Sequence, residues 1–221
     1  AKQFLELGDR PVLALTLEKF QACPVIDGIV LVVPSEDVEF CEREIIHKYG
    51  LNKVKRLIPG GERRQDSVRS GIEATGGEYG LVMIHDGVRP FIKVSLIEKV
   101  VSAARTDRAV ITALPAKETV KEVGEDEYVI RSLDRRRIWM VQTPQAFRYE
   151  DIMEAHQKAG EEGWEEATDD AVLVERMGVP VRVVHGSEYN IKITTPHDLE
   201  ILRCLYERNG ETRDGEQEFC L

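Results

Sequence analysis

Along the first half of the chain, apolar runs of strand length alternate with stretches of helical period. Leu13, Leu15, Leu17 and Phe20 lie on or near one side of a helix predicted over residues 11–22. IDGIVLVVP (26–34) runs apolar with little polar alternation, the pattern of a buried strand. Ser35 is placed to cap a helix reaching about Tyr49, with Glu36 and Asp37 in a first turn that favours negative charge, and Gly50 stops it. A short strand at 54–58 meets Pro59-Gly60-Gly61, and 64–74 suits a helix. A strand at 81–84, a helix at 95–105 and a strand at 109–114 follow. This β-α-β-α order predicts a mostly parallel, Rossmann-like α/β sheet with helices on both faces, three layers in all, joined by right-handed crossovers.

The rhythm breaks at Ala116. TVKEV and YVIRSL alternate as short strands around Gly124-Glu125-Asp126-Glu127, which predicts a protruding hairpin arm over about 116–138. An inserted two-stranded hairpin is marginal alone and has to pack on something, for which a partner subunit is the natural candidate. IWMVQTPQAF (138–147) returns to the core as a strand, and 148–159 forms an amphipathic helix. Thr168 reads as the N-cap of a helix to Met177, with Asp169 and Asp170 as first-turn acids. Two more strands are predicted at 179–186 and 190–195. Thr195-Pro196-His197-Asp198 opens the last helix with a cap, a proline at N1 and an acid at N3. The polar tail from about Arg208 is expected to fray. Neither a repeat nor a linker divides the chain, so one domain over 1–221 is expected.

Charge narrows the partners. Thirty Lys and Arg against forty Asp and Glu give a net charge of −10, which argues against general nucleic-acid binding, since neutralising phosphates needs a basic face. A local basic pocket for a small phosphorylated ligand stays compatible with it. Cys23, Cys41, Cys204 and Cys220 have no metal-ligand spacing and read as reduced thiols of a cytoplasmic protein. The chain carries no run approaching the roughly 18 apolar residues of a membrane span, and no signal-peptide pattern.

Candidate chemistry lies where the strands end. In open α/β sheets ligands bind outside the carboxyl ends of the strands. The strand at 81–84 stops abruptly in His85-Asp86-Gly87-Val88-Arg89-Pro90, making Asp86 and Arg89 the first candidates; the plainer reading is a turn with a surface ion pair. The same edge collects Gly60-Gly61-Glu62-Arg63, Lys117 to Thr119, Thr143-Pro144-Gln145 and Gly186 to Lys192. Glycines admit close backbone approach and offer amide donors to anions, while arginine and lysine offer charge. No arrangement suits covalent catalysis, and the five scattered histidines read as structural or surface residues. Cations, glycine amides and one aspartate suit phosphoryl or nucleotidyl transfer, where positioning and charge neutralisation carry the rate.

Several stretches then recur together: AKQFL (1–5), GGERRQDSV (60–68), HDGVRPF (85–91), PAKETVK (115–121), WMVQTPQAF (139–147), TDDAVLVE (168–175) and GSEYNIKITTPHDLE (186–200). In this order and spacing they closely resemble the bacterial 2-C-methyl-D-erythritol 4-phosphate cytidylyltransferases of the non-mevalonate isoprenoid pathway. The resemblance implies a nucleotidyltransferase that moves CMP from CTP to the polyol phosphate, with pyrophosphate leaving and Mg²⁺ bridging the triphosphate. Carried over by position, it implies that Lys2 stabilises the charged transition state and that Lys192 is catalytic and binds the substrate phosphate. Gly60, Gly61, Glu62 and Ser67 fall where the family reads the nucleotide. Asp86, Gly87 and Arg89 fall at the substrate and metal-nucleotide edge, with Asp86 as the metal contact, mostly through nucleotide phosphates. Thr143 matches a substrate-phosphate position. Thr119 and Arg135 lie on the arm, which in the family completes the neighbouring subunit's site, so a homodimer with arm exchange is expected.

Two departures stand out. The family opens with an apolar strand and a glycine-rich loop of the kind AAGxGxRM before Pro-Lys-Gln-Phe, whereas here Ala1 begins at the proline position; about 20 residues of such a βα-loop unit are expected upstream. Glu62 also stands where aspartate is common, which keeps the charge but shifts the carboxylate. Ribitol 5-phosphate cytidylyltransferases share the fold and the KQF and TPQ signatures, although DRRRIW (134–139) resembles the methylerythritol branch better. A non-catalytic nucleotide-binding module is the reading from a different class.

Overall fold

The computed structural model describes residues 1–164 and 167–211; the tail beyond them, with Cys220, lies outside the described residues. β1 (Glu6–Leu7) and β2 (Arg10–Pro11) make a tight antiparallel pair ahead of α1 (Val12–Ala22). β3 (Ile29–Val33) and β4 (Val54–Pro59) are parallel neighbours. The connection between them is not the single capped helix expected from Ser35. It is a 3-10 turn (Ser35–Asp37), the short α2 (Val38–Phe40) and a π-helical stretch (Cys41–His47), and the Ser35 hydroxyl turns to the Glu36 carboxylate instead of a backbone amide.

There follow α3 (Arg64–Glu73), β5 (Leu81–Ile84), α4 (Val94–Ala104), β6 (Ala109–Pro115), β7 (Lys121–Val123), β8 (Val129–Ser132), β9 (Trp139–Arg148), α5 (Tyr149–Glu161), α6 (Ala171–Arg176), β10 (Val181–His185) and α7 (Pro196–Glu211). The central sheet has the order β10-β6-β9-β5 and is mixed, correcting the expectation of a mostly parallel one. β9 runs against both of its neighbours, and β6 and β10 form the parallel ladder. The arm explains why. The chain leaves β6 at Pro115, makes the β7–β8 hairpin and returns with Trp139 opposite Pro115, so β9 re-enters at the end where β6 left and has to run back along it.

β5 also departs from expectation: all four of its residues are half-buried, because it is an edge strand paired on one side alone. No ladder forms over 190–195. The alternation there is genuine, but the backbone threads between loops and is held singly, as where the Ile193 amide donates to the Val88 carbonyl at 3.0 Å. The start of α7 is as predicted. Asp198 accepts from the amides of Thr194 and Thr195 at 2.8 and 2.7 Å, and Thr195 Oγ1 accepts from the Asp198 amide at 3.3 Å. The Thr194 hydroxyl and those two amides hold the Asp198 carboxyl well below the usual carboxylate range.

Side chains alternate across β6 and β9, so the sheet has an apolar cluster on each face. Ala109, Ile111 and Phe147 meet Ile72 of α3, Ile152 of α5 and Leu173 of α6. Val110 and Ala146 meet Phe20 of α1 and Leu96, Ile97 and Val100 of α4. Phe147 is fully enclosed at the middle of the first cluster. Replacing it with alanine removes its packing and leaves a cavity, so urea unfolding of Phe147→Ala should show a loss of about 3–5 kcal/mol.

Candidate active site

Asp86 lies one residue beyond the His85 that follows β5, and three cations surround its carboxylate. Lys192 Nζ lies 3.2 Å and Arg89 Nε 3.1 Å from Oδ2, and Arg64 Nε lies 3.9 Å from Oδ1. They come from a loop after β10, the loop after β5 and the first residue of α3, so the charge centre ties together segments far apart in sequence. Burial acts to raise the Asp86 carboxyl, but Lys192, Arg89 and Arg64 overcome it and hold it below the usual range. The buried Arg89 is fixed further by donating from NH1 to the Asn190 carbonyl at 2.8 Å, and Asn190 Nδ2 donates to the Thr143 carbonyl at 2.7 Å. That is why 190–195 leaves the sheet: its polar groups hold the loops of the site.

Thr143 stands at a cis Thr143–Pro144 bond in β9. Its hydroxyl accepts from the Asp86 amide at 3.0 Å and lies 3.2 Å from His85 Nδ1. The other ring nitrogen, Nε2, is 3.4 Å from the Arg89 carbonyl, which only accepts. These partners assign the proton to Nε2 and leave Nδ1 to accept from Thr143. His85 is therefore a neutral wedge between the loop of Asp86 and β9, and burial lowers its pKa to about 4.

Several groups at the centre were not recognised as site residues in the sequence. Arg64 NH2 donates to Asp170 at 2.6 Å, and the Asp170 side chain is 1% exposed. Asp169 accepts from the Gln145 side-chain amide at 2.9 Å and from the Val172 backbone amide at 3.1 Å, while the N-cap position of α6 is Asp170 and not Thr168. Arg64, Asp86, Arg89, Thr143, Asp169 and Lys192 line one side of a pocket of about 210 Å³. In sequence, Arg64 and Asp170 looked like ordinary helix-start residues, and nothing local pairs positions 106 apart.

The glycine loop is built for close packing. A Cβ on Gly60 would meet Ser67 Oγ at 2.7 Å and one on Gly61 would meet Asp66 Cβ at 2.5 Å, while the Gly61 amide donates to Ser67 Oγ at 3.1 Å. Glu62 is exposed beside them. Gly87 presses against α1, with its carbonyl accepting from Thr16 at 2.9 Å. The structure thus brings together Asp86, Arg89, Thr143 and Lys192. Lys2 is exposed in the opening 3-10 turn (Lys2–Phe4) and makes no hydrogen bond or ion pair with that group. Thr119 and Arg135 are exposed on the arm, where Arg135 NH1 donates to the Lys117 carbonyl at 2.5 Å.

The family model described as IspD: 2-C-methyl-D-erythritol 4-phosphate cytidylyltransferase matches residues 1–208. The chain belongs to this family. It is 45% identical over 201 residues to the 2-C-methyl-D-erythritol 4-phosphate cytidylyltransferase of Geobacter metallireducens, covering 90% of this chain and 86% of that protein. With the enzyme of the same name from Syntrophus aciditrophicus the identity is 48% over 207 residues, 94% of this chain and 88% of the relative. Among solved structures, the 4-diphosphocytidyl-2C-methyl-D-erythritol synthase of Anaerococcus prevotii superposes with a TM-score of 0.85 at 36% identity, over 92% of this chain and 88% of that one. The 2-C-methyl-D-erythritol 4-phosphate cytidylyltransferase of Thermus thermophilus gives 0.76 at 33%, over 93% of each. The mixed α/β architecture, a central sheet with helices, is shared with these cytidylyltransferase structures.

Because folded His85 refuses a proton that the unfolded chain accepts, its contribution to stability is complete above pH 6.5 and is lost as pH falls toward 4. Urea unfolding at pH 7 and pH 4.5 should show part of a total loss of about 3 kcal/mol over that window. The loss should be smaller in His85→Gln, whose side chain does not titrate.

Proposed function

We propose that the protein transfers a cytidylyl group from CTP to 2-C-methyl-D-erythritol 4-phosphate, releasing pyrophosphate and forming 4-diphosphocytidyl-2-C-methyl-D-erythritol. The observation that carries this is the match to the cytidylyltransferase family over residues 1–208. The cation group at Asp86 supplies fitting chemistry. A phosphate oxygen of the polyol attacks the α-phosphorus in line, and charge builds on the oxygens around it, so fixed cations lower the barrier by neutralising that charge. Lys192 at the pocket rim receives the polyol phosphate, and Arg89 and Thr143 orient it. Gly60, Gly61, Glu62 and Ser67 take the nucleotide. Lys2 acts on the triphosphate once both substrates are present.

In this reading Mg²⁺ accompanies the nucleotide. Mg²⁺ at nucleotide sites is held mainly by phosphates with one or two protein carboxylates. Asp86 at the pocket is the carboxylate that would hold it, and the ion supplies further charge neutralisation at the triphosphate. The enzyme works as a homodimer in which the arm brings Thr119 and Arg135 to the partner's pocket, completing a three-layer nucleotidyltransferase fold. Supporting this, the arm and its base expose Val123, Tyr128, Val129, Ile130 and Met140, with Val123 and Val129 opposite each other across the hairpin and Ile130 turned to its other face. Cys23, Cys41 and Cys204 are free thiols, in keeping with a cytoplasmic enzyme, and no helix among the described residues is long and apolar enough to cross a membrane.

A cytidylyl-transfer assay with both polyol phosphates should show turnover of methylerythritol phosphate. Turnover of ribitol phosphate alone would reassign the substrate, and no pyrophosphate from either would leave a nucleotide-binding module. Arg135→Ala should fold normally yet turn over at least tenfold more slowly, as expected for loss of a charged contact to phosphate. Mixing it with a pocket-defective Lys192→Ala chain should restore part of the activity across subunits; a fully active monomer would defeat the shared site.

A further inference from the structure

The loop that delivers Asn190 and Lys192 to the Asp86 centre is fastened at its two ends by backbone hydrogen bonds. The Gly186 amide donates to the Ala113 carbonyl of β6 at 2.9 Å, and the Ile193 amide to the Val88 carbonyl at 3.0 Å. Between those points a side chain outside the group already described takes hold. Gln142 of β9 lays its amide along the loop. Its Nε2 donates to the Ser187 carbonyl at 3.0 Å, and its Oε1 accepts from the Ser187 amide at 3.3 Å. One side chain thus pairs with both backbone groups of one residue, as a neighbouring strand would. Oε1 also accepts from Asn190 Nδ2 at 3.4 Å.

The loop is shaped to receive this amide. A Cβ on Gly186 would stand 2.4 Å from Gln142 Oε1. Gly186 does not take a left-handed φ, so space and not backbone conformation calls for a glycine there. The other side-chain grips on the stretch are weaker. Lys117 pairs with Glu188, but their side chains are 69% and 61% exposed, and solvent screens such a pair. The inner peg is Asn190, which is fully buried. Its amide donates to the same Ser187 carbonyl at 3.0 Å, its Nδ2 to the Thr143 carbonyl at 2.7 Å, and its own carbonyl accepts from Arg89 at 2.8 Å. Two residues on, Lys192 Nζ stands 3.2 Å from Asp86 Oδ2.

We propose that Gln142 is a positioning residue for the polyol phosphate, setting the loop over 186–192 so that Arg89 and Lys192 present their charges together. This deepens the cytidylyl-transfer reading above and rests on it for the identity of the phosphate. The effect of Gln142 reaches the two cations through Ser187 and Asn190. Without the clamp the loop keeps its ends but loses its register between them. A phosphate then meets Lys192 and Arg89 over a spread of geometries, and a misplaced contact of this kind weakens binding. The nucleotide side, built from Gly60 to Ser67, is left as it was.

Two variants break the clamp from opposite sides. Gln142→Ala removes the amide, and Gly186→Ala pushes it off the loop while keeping it. In each, KM for methylerythritol phosphate should rise about tenfold, the loss expected for one misaligned charge-assisted hydrogen bond, while KM for CTP stays within about twofold. Because both variants break one contact, the double variant should be no worse than Gln142→Ala alone. Hydrogen–deuterium exchange of the peptide covering 186–193, followed without substrates, should quicken in both single variants, with exchange in α4 unchanged. Unchanged exchange in the loop, equal losses on the two KM values, or additive losses in the double variant (the mark of a direct substrate contact by Gln142) would overturn the proposal. If the unaltered chain turns over no polyol phosphate, the cytidylyl-transfer reading falls, and the positioning of Arg89 and Lys192 by Gln142 stands or falls on the exchange result.

Discussion

A single carboxylate organises the site. Asp86 is mostly buried where an edge strand ends, and an ionised group there is tolerable only when it is paired and hydrogen-bonded. Lys192, Arg89 and Arg64 supply the charge, and Thr143 takes the backbone amide of Asp86 itself. Two of the cations are fixed in turn: Arg89 by the Asn190 carbonyl, Arg64 by Asp170. The order of the loops around the pocket follows from satisfying that one charge. The cations it gathers line the pocket beside it.

β9 is the element that joins this site to the rest of the molecule. Its inner half carries Thr143 and Gln145 to the pocket and Phe147 to the main cluster, while its outer half, from Trp139 to Val141, is exposed and continues into the arm. One strand therefore spans core, pocket and arm. Its reversed direction places the arm at the end of the sheet where β6 leaves.

Much of this was legible in the order of residues. The strand-helix alternation, the β7–β8 pairing and the approach of Asp86, Arg89 and Lys192 followed from local patterns, because apolar runs and turn residues act over a few positions, whereas Thr143, expected past a strand end, lies inside β9. What escaped was long-range or ambiguous. Arg64 and Asp170 each carry a signal that any helix start would carry, and their pairing is decided by the packing of α3 against α5 and α6. The run 190–195 alternates like a strand, yet its hydrogen bonds go to neighbouring loops. A direction for β9 was not written in its own residues; it was set by the hairpin before it.

The exposed apolar side chains of the β7–β8 hairpin have a consequence of their own. Two short strands with exposed Val123, Val129 and Ile130 offer open backbone edges beside apolar side chains, the combination that lets unrelated chains pair edge to edge. The hairpin also carries Lys121, Glu122 and Arg131, with Arg131 paired to Glu122 at 2.5 Å across the two strands. Charges at such positions act as gatekeepers against stacking. The paired ions among its valines and isoleucine therefore hold those open edges back from unrelated chains.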